Sequence, residues 1–198
     1  MSPISCSARR VAMAASAVCL QALAADSMKM TIAAEPGKGC DTVGRELGKA
    51  MTASGAAKNI QYVNQAGAGG AIALAQFVNS SKGDPSALLV GGSAMMTAII
   101  RNKSAVDLGS VTPVARLATP KEPGASAQPD TWCGLFAAPA ITSAQRDDLA
   151  KSAEAATKSS EWQAALAKNA WESRWLAGDA YASFIDAEGK RISSVLAR

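Results

Sequence analysis

The sequence predicts an α/β fold: a mostly parallel sheet flanked by helices. Three observations predict it. A short apolar segment, a glycine-bearing turn and a helix-compatible stretch follow one another three times between residues 28 and 101. The third apolar segment, Ala87-Leu-Leu-Val90, has no polar position, as expected of a strand covered on both faces. Alanine supplies much of an apolar content of 48%, against 5% aromatic residues, and alanine favours helices. Repeated strand–turn–helix units join parallel strands through crossover helices.

Met28 to Ala34 reads as the first strand, and Glu35-Pro-Gly-Lys-Gly-Cys-Asp41 as a tight turn. A helix then runs to about Ala53, with Asp41 as its N-cap and Val43, Leu47 and Met51 spaced four apart on one face. Ile60-Gln-Tyr-Val63 is the second strand, Gly67-Ala-Gly-Gly70 the second glycine turn, and Ala71 to Asn79 the second helix. After the break at Lys82-Gly-Asp-Pro85 comes the third strand, ending in Gly91-Gly92-Ser93, and a helix over Ala94 to Arg101. Val111 to Ala118 is a further strand.

Thr119 to Asp130 interrupts this order with three prolines, one glycine and no large apolar residue, and reads as a linker or exposed crossing. Trp132 to Phe136 is then a strand, and Thr142 caps a helix of about 15 residues. Ser159 or Ser160 caps the next helix, and Trp171 to Leu176 is a short strand stopped by Gly178. Asp179 opens a final amphipathic helix with Phe184, Ile185, Ile192, Val195 and Leu196. All four tryptophans follow residue 130, where they wedge helices onto the sheet.

The length of 198 residues makes one domain the default and allows two small ones. Charged residues are 18% and the net charge is +4. Arg9 and Arg10 lie in a segment without acids; removing them leaves 18 basic residues against 16 acidic ones. Such a balance, with no basic run interleaved with aromatics, argues against nucleic acid as a partner. No histidine is present, which excludes histidine-based triads and histidine metal sites. No cofactor motif occurs: Gly67-Ala-Gly-Gly-Ala has the wrong spacing for a dinucleotide fingerprint and no Walker sequence is found.

Residues 1–24 read as a secretory leader. Arg9-Arg10 precede the apolar stretch Val11 to Leu20, and Ala22-Leu-Ala24 offers small residues for cleavage. The alternative is a buried N-terminal helix. The leader implies an exported, periplasmic protein and leaves Cys40 and Cys133 in an oxidising compartment. A disulfide between them and two separate buried thiols are both compatible with the sequence.

The chemistry expected of this chain sits at the three glycine turns. In a parallel α/β sheet, ligands bind beyond the carboxyl ends of the strands. Each turn presents backbone N–H groups at a helix N-terminus, which suits a carboxylate or phosphate. Gly37, Gly39, Gly67, Gly69 and Gly70 admit an anion with no Cβ in the way, Ala68 lies within the second turn, and Lys38 adds positive charge at the rim. Asp41 would repel an anion, so it caps the helix or holds a water or a ligand hydroxyl. Ser93 offers a hydroxyl or caps its own helix. The competing reading is that these are strand-to-helix turns needing left-handed residues. Cys40, at a helix start, could have a lowered pKa, but no base accompanies it, and no catalytic or metal-ligating set is assigned.

Several segments resemble the substrate-binding proteins of tripartite tricarboxylate transporters, the Bug family of periplasmic receptors. Ala34-Glu-Pro-Gly-Lys-Gly-Cys-Asp41 with Gly44-Arg-Glu-Leu47 is similar to the family's Pro-Gly-Gly-x-x-Asp turn and helix. Asn64-Gln-Ala-Gly-Ala-Gly-Gly-Ala71 is similar to its Asn-x-x-Gly-Ala-Gly-Gly loop. Asp84 to Ser93, Val111 to Leu117 and Trp132 to Thr142 resemble the strands that follow. Lys38 stands where the family has glycine, and Cys40 occupies a variable position. The resemblance implies a type II periplasmic-binding-protein-like fold that closes two lobes on a small carboxylate held by backbone amides. Carried onto this chain, the ligand-binding candidates are Gly37, Lys38, Gly39, Cys40, Asp41, Gly67, Ala68, Gly69, Gly70 and Ser93. It also implies a membrane transporter subunit as partner, and no enzyme activity. Family members are longer. Here Pro120 to Asp130 stands where the second lobe would be, so the expectation is lobe 1 alone, from residues 25–119 and 131–198. The surface left by the missing lobe could then drive self-association. The alternative is a one-lobed interaction module that has lost its ligand.

Overall fold

The computed structural model describes residues 27–119 and 131–197. The leader and the linker assigned above fall outside them. Strand β1 (Met28–Ile32) places Met30 and Ile32 in the core, and helix α1 (Gly39–Ala53) buries the predicted face of Val43, Leu47 and Met51. Strand β2 (Ile60–Asn64) leads through a 3-10 turn at Ala68–Gly70 into α2 (Ala71–Ser80). The wholly buried β3 (Ala87–Gly92) leads directly into α3 (Ser93–Arg101). Then come β4 (Thr112–Thr119), the buried β5 (Cys133–Ala137), α4 (Ser143–Thr157), α5 (Ser160–Asn169), β6 (Glu172–Ala177) and α6 (Gly178–Leu196). Thr142 makes a full capping box with Gln145, and Ser159 caps α5.

The six strands form one sheet in the order β2-β1-β3-β5-β4-β6. β1 runs parallel to β2 and β3, whereas β5 is antiparallel to β3 and β4, and β6 is antiparallel to β4. The sheet is therefore mixed: β1, β2, β3 and β4 run one way, in keeping with the expected mostly parallel sheet, and β5 and β6 run against them. The cause is local. β4 and β5 meet where Ala118 pairs with Cys133, so the chain turns back at one edge, and a parallel pair would need a crossover to the other. Pro113, which has no N–H, sits in β4 at a register shift.

Alternation along β3 splits the core in two. Leu88 and Val90 face α1, α4 and α5, with Leu47, Met51, Leu149 and Trp162. Leu89 faces α2, α3 and α6, with Phe77, Met95, Trp132 and Tyr181. This gives three layers, helices on both sides of the sheet. Trp132 is fully buried and meets Tyr181 and Phe184 of α6 edge-on at 6.3 and 5.4 Å, which seats α6 on β5. Among the described residues no helix is long and apolar enough to cross a membrane.

Candidate functional site

β1, β2, β3 and β4 point the same way, so the three glycine turns, which follow β1, β2 and β3, lie along one edge of the sheet. The helices that begin there, α1, α2 and α3, start at Lys38, Gly70 and Gly92 without a side-chain cap. α4 and α5 carry such caps, and α6, at the opposite edge, does not. The first-turn N–H groups of α1, α2 and α3 are thus left to the backbone or to a ligand.

The first turn is braced from within. Asp41 is buried and lies inside α1, two residues after its first residue, so it is not the expected N-cap; Lys38 is, in extended backbone. Its carboxylate accepts the Gly37 N–H at 2.7 Å, the Arg45 Nε–H at 2.9 Å and the Asn64 Nδ2–H at 2.7 Å. Asn64 also accepts from Arg45 Nη2 at 2.7 Å and donates to the Ala34 carbonyl at 3.1 Å. This network ties the turn to the end of β2. Burial alone would raise the Asp41 pKa, but the bonds from Asn64, Gly37 and Arg45 outweigh it and hold the carboxyl below its ordinary 3.8. A lowered native pKa stabilises the fold above the unfolded value and loses that contribution as pH falls through the native one. Asp41→Asn is therefore expected to cost roughly 2–3 kcal/mol at pH 7 and much less at pH 2, read from denaturant midpoints at both pH values.

Cys40 and Cys133 form a disulfide with Cα atoms 5.6 Å apart. Of the two arrangements the sequence allowed, pairing is the one adopted, and Cys40 is not a free thiol. Gly37 and Lys38 are exposed at the rim, and Gly39 begins α1.

The second turn runs through four successive positive φ values, 118° at Gly67, 45° at Ala68, 64° at Gly69 and 103° at Gly70. Gly70 is tucked in, where a Cβ would stand 3.0 Å from the Ala33 carbonyl. In the third turn the Ser93 N–H donates to the Trp132 carbonyl at 3.1 Å. Ser93 is the first residue of α3 rather than its cap, which is Gly92.

Those two turns share one open cleft of about 610 Å³. Ala68, Gly69 and Ser93 line it, together with Thr97 and Arg101 of α3, Thr131, and Arg191, Ile192, Val195 and Leu196 near the end of α6. Gly37 to Asp41, Gly67 and Gly70 are not among its lining residues. Sequence reasoning missed Arg101, Thr131 and Arg191. Arg101 reads as a helix C-terminal cation and Arg191 as the polar face of the last helix, and nothing local signals that α3 and α6 form facing walls. Among the described residues no group of histidine, cysteine or acidic side chains is arranged to hold a metal.

No protein-family profile and no curated protein sequence matches the chain. Solved structures do. A TctC solute-binding protein from Polaromonas, without ligand, superposes with a TM-score of 0.74 at 13% identity, covering 86% of this chain and 98% of the other. The periplasmic binding protein BugD gives 0.70 at 13% identity, covering 86% and 96%. MatC from Rhodopseudomonas palustris with bound malate gives 0.69 at 14% identity, covering 86% and 99%. The chain thus has the fold of the TctC and Bug periplasmic solute-binding proteins.

Proposed function

We propose that this chain is an exported, non-enzymatic solute-binding domain. It holds a small carboxylate at the second and third glycine turns and serves a tripartite carboxylate transport system through a membrane subunit. The observation that carries the reading is the set of side-chain-uncapped helix starts along one sheet edge, of which the start of α3 opens into a cleft that Ala68 and Gly69 of the second turn also line. Backbone N–H groups at such starts, aligned with the helix dipole, bind carboxylates. The first turn, satisfied internally by Asp41, braces the site. The leader pattern of residues 1–24 supports a periplasmic location, as do the names of the neighbours, one of which holds malate. On this reading residues 120–130 replace the second lobe, so the anion is bound from one side and stays in contact with water, where its interactions are weaker than in a closed clamp.

Calorimetric titration of the mature chain with malate, citrate, glutamate and acetate tests this. Binding of at least one acid is expected, with stabilisation of about 2.7 kcal/mol at 100 times its Kd, seen as a rise in Tm. Neither heat nor a Tm shift with any acid would overturn the reading in favour of an interaction module without a ligand.

A further inference from the structure

We infer that the cleft between α3 and α6 selects amphipathic carboxylates, acids with an aliphatic or aromatic body, over small hydroxylated ones. This deepens the proposed function and rests on it. Two independent observations carry it. The first is charge: the cleft lining contains Arg101 and Arg191 and no aspartate or glutamate. No carboxylate among the described residues pairs with Arg101. Arg191 is positioned by the buried Glu188, which accepts its Nε and Nη2 hydrogens at 2.8 and 2.6 Å. The second is the wall. Of the three large apolar side chains left exposed in the described residues, Ile72, Val195 and Leu196, two line this cleft, Val195 at 56% and Leu196 at 43% exposure. Ala94 and Ala98 of α3 add apolar surface to the same cleft.

A hydrophilic acid such as malate would leave that wall wet. An acid with an apolar body covers it while its carboxylate meets Ser93, Thr131 and Arg191, and the match of cations with an apolar strip names the occupant. Each methylene laid on the wall removes apolar surface from water, which is worth about fourfold in affinity when fully buried. A second copy of this chain is the rival occupant. It would bring the Arg101 side chains of two protomers to one interface, a like-charge contact that disfavours it.

The test is calorimetry of the mature chain with acetate, butyrate, hexanoate, phenylacetate and malate, joined to light scattering without ligand. Affinity is expected to rise two- to fourfold per methylene from acetate to hexanoate, and hexanoate to bind at least tenfold tighter than malate. Val195→Ser with Leu196→Ser, both exposed and so neutral to folding, should weaken hexanoate about tenfold and leave acetate unchanged. Arg191→Gln should weaken all the acids alike. If acetate and malate bind but the series is flat, or the serine pair binds hexanoate like the parent, this inference falls and the carboxylate reading stands. If no acid binds, both fall. A doubled mass that the serine pair returns to monomer would show the wall seated on a second copy and would also overturn the inference.

Discussion

Cys133→Ala is expected to lower stability by about 4–5 kcal/mol. The disulfide it removes closes a loop with a sequence separation of 93 residues, and a cross-link over so long a loop takes that much conformational freedom from the unfolded chain. It also joins the two described segments of the chain, before and after residues 120–130, by fixing the first turn of α1 to the start of β5. Against a total stability of about 5–15 kcal/mol the loss is large, and it should lower Tm by roughly 10–15 °C. Denaturant unfolding of the oxidised, reduced and Cys133→Ala proteins checks it. Reduction should reproduce most of the loss in the parent and add nothing in the variant.

Gly92→Ala is expected to cost about 3 kcal/mol and to damage the cleft as well. The φ of Gly92 is −172°, extended backbone open to any residue, so the cost is one of contact alone. A Cβ there would lie 1.8 Å from the Trp132 carbonyl oxygen, which is backbone and cannot swing away. β3 and β5 pair at this point, Gly92 opposite Cys133, so relief requires separating two central strands. The same carbonyl accepts the Ser93 N–H at the start of α3, which couples the loss of stability to the site. Gly91→Ala is the control. Its Cβ would meet the terminal methyl of Met95 at 2.3 Å, and that flexible end can move, so about 1 kcal/mol is expected. Thermal unfolding of the two variants beside the parent separates these outcomes.

Wherever local chemistry decides, the sequence was legible. The four-residue spacing of Val43, Leu47 and Met51 marked the buried face of α1, Thr142 and Ser159 marked helix starts, and Gly178 marked the end of β6. The glycine turns fall on one edge because strand polarity forces it once the first three units are parallel. The remainder depended on distances between residues far apart in the chain. Whether β5 and β6 run with or against their neighbours depends on the edge at which the chain re-enters, which no local pattern encodes. Asp41 read as a cap because aspartate is favoured at a helix start, but its carboxylate is held partly by Asn64, which comes from another strand. The choice between a disulfide and two thiols needed the 5.6 Å separation. The cleft needed the end of α6 folded back beside α3.

The claim on which this account rests is that backbone amides of the second and third turns hold a carboxylate. Titrating the 15N-labelled mature protein with the tightest-binding acid and following each amide tests it most directly. The account predicts saturable shifts centred on Gly69, Ala71 and Ala94, with little change at Gly55 and Gly83 on the opposite edge. Saturable shifts centred on that opposite edge, or none at either, would contradict it.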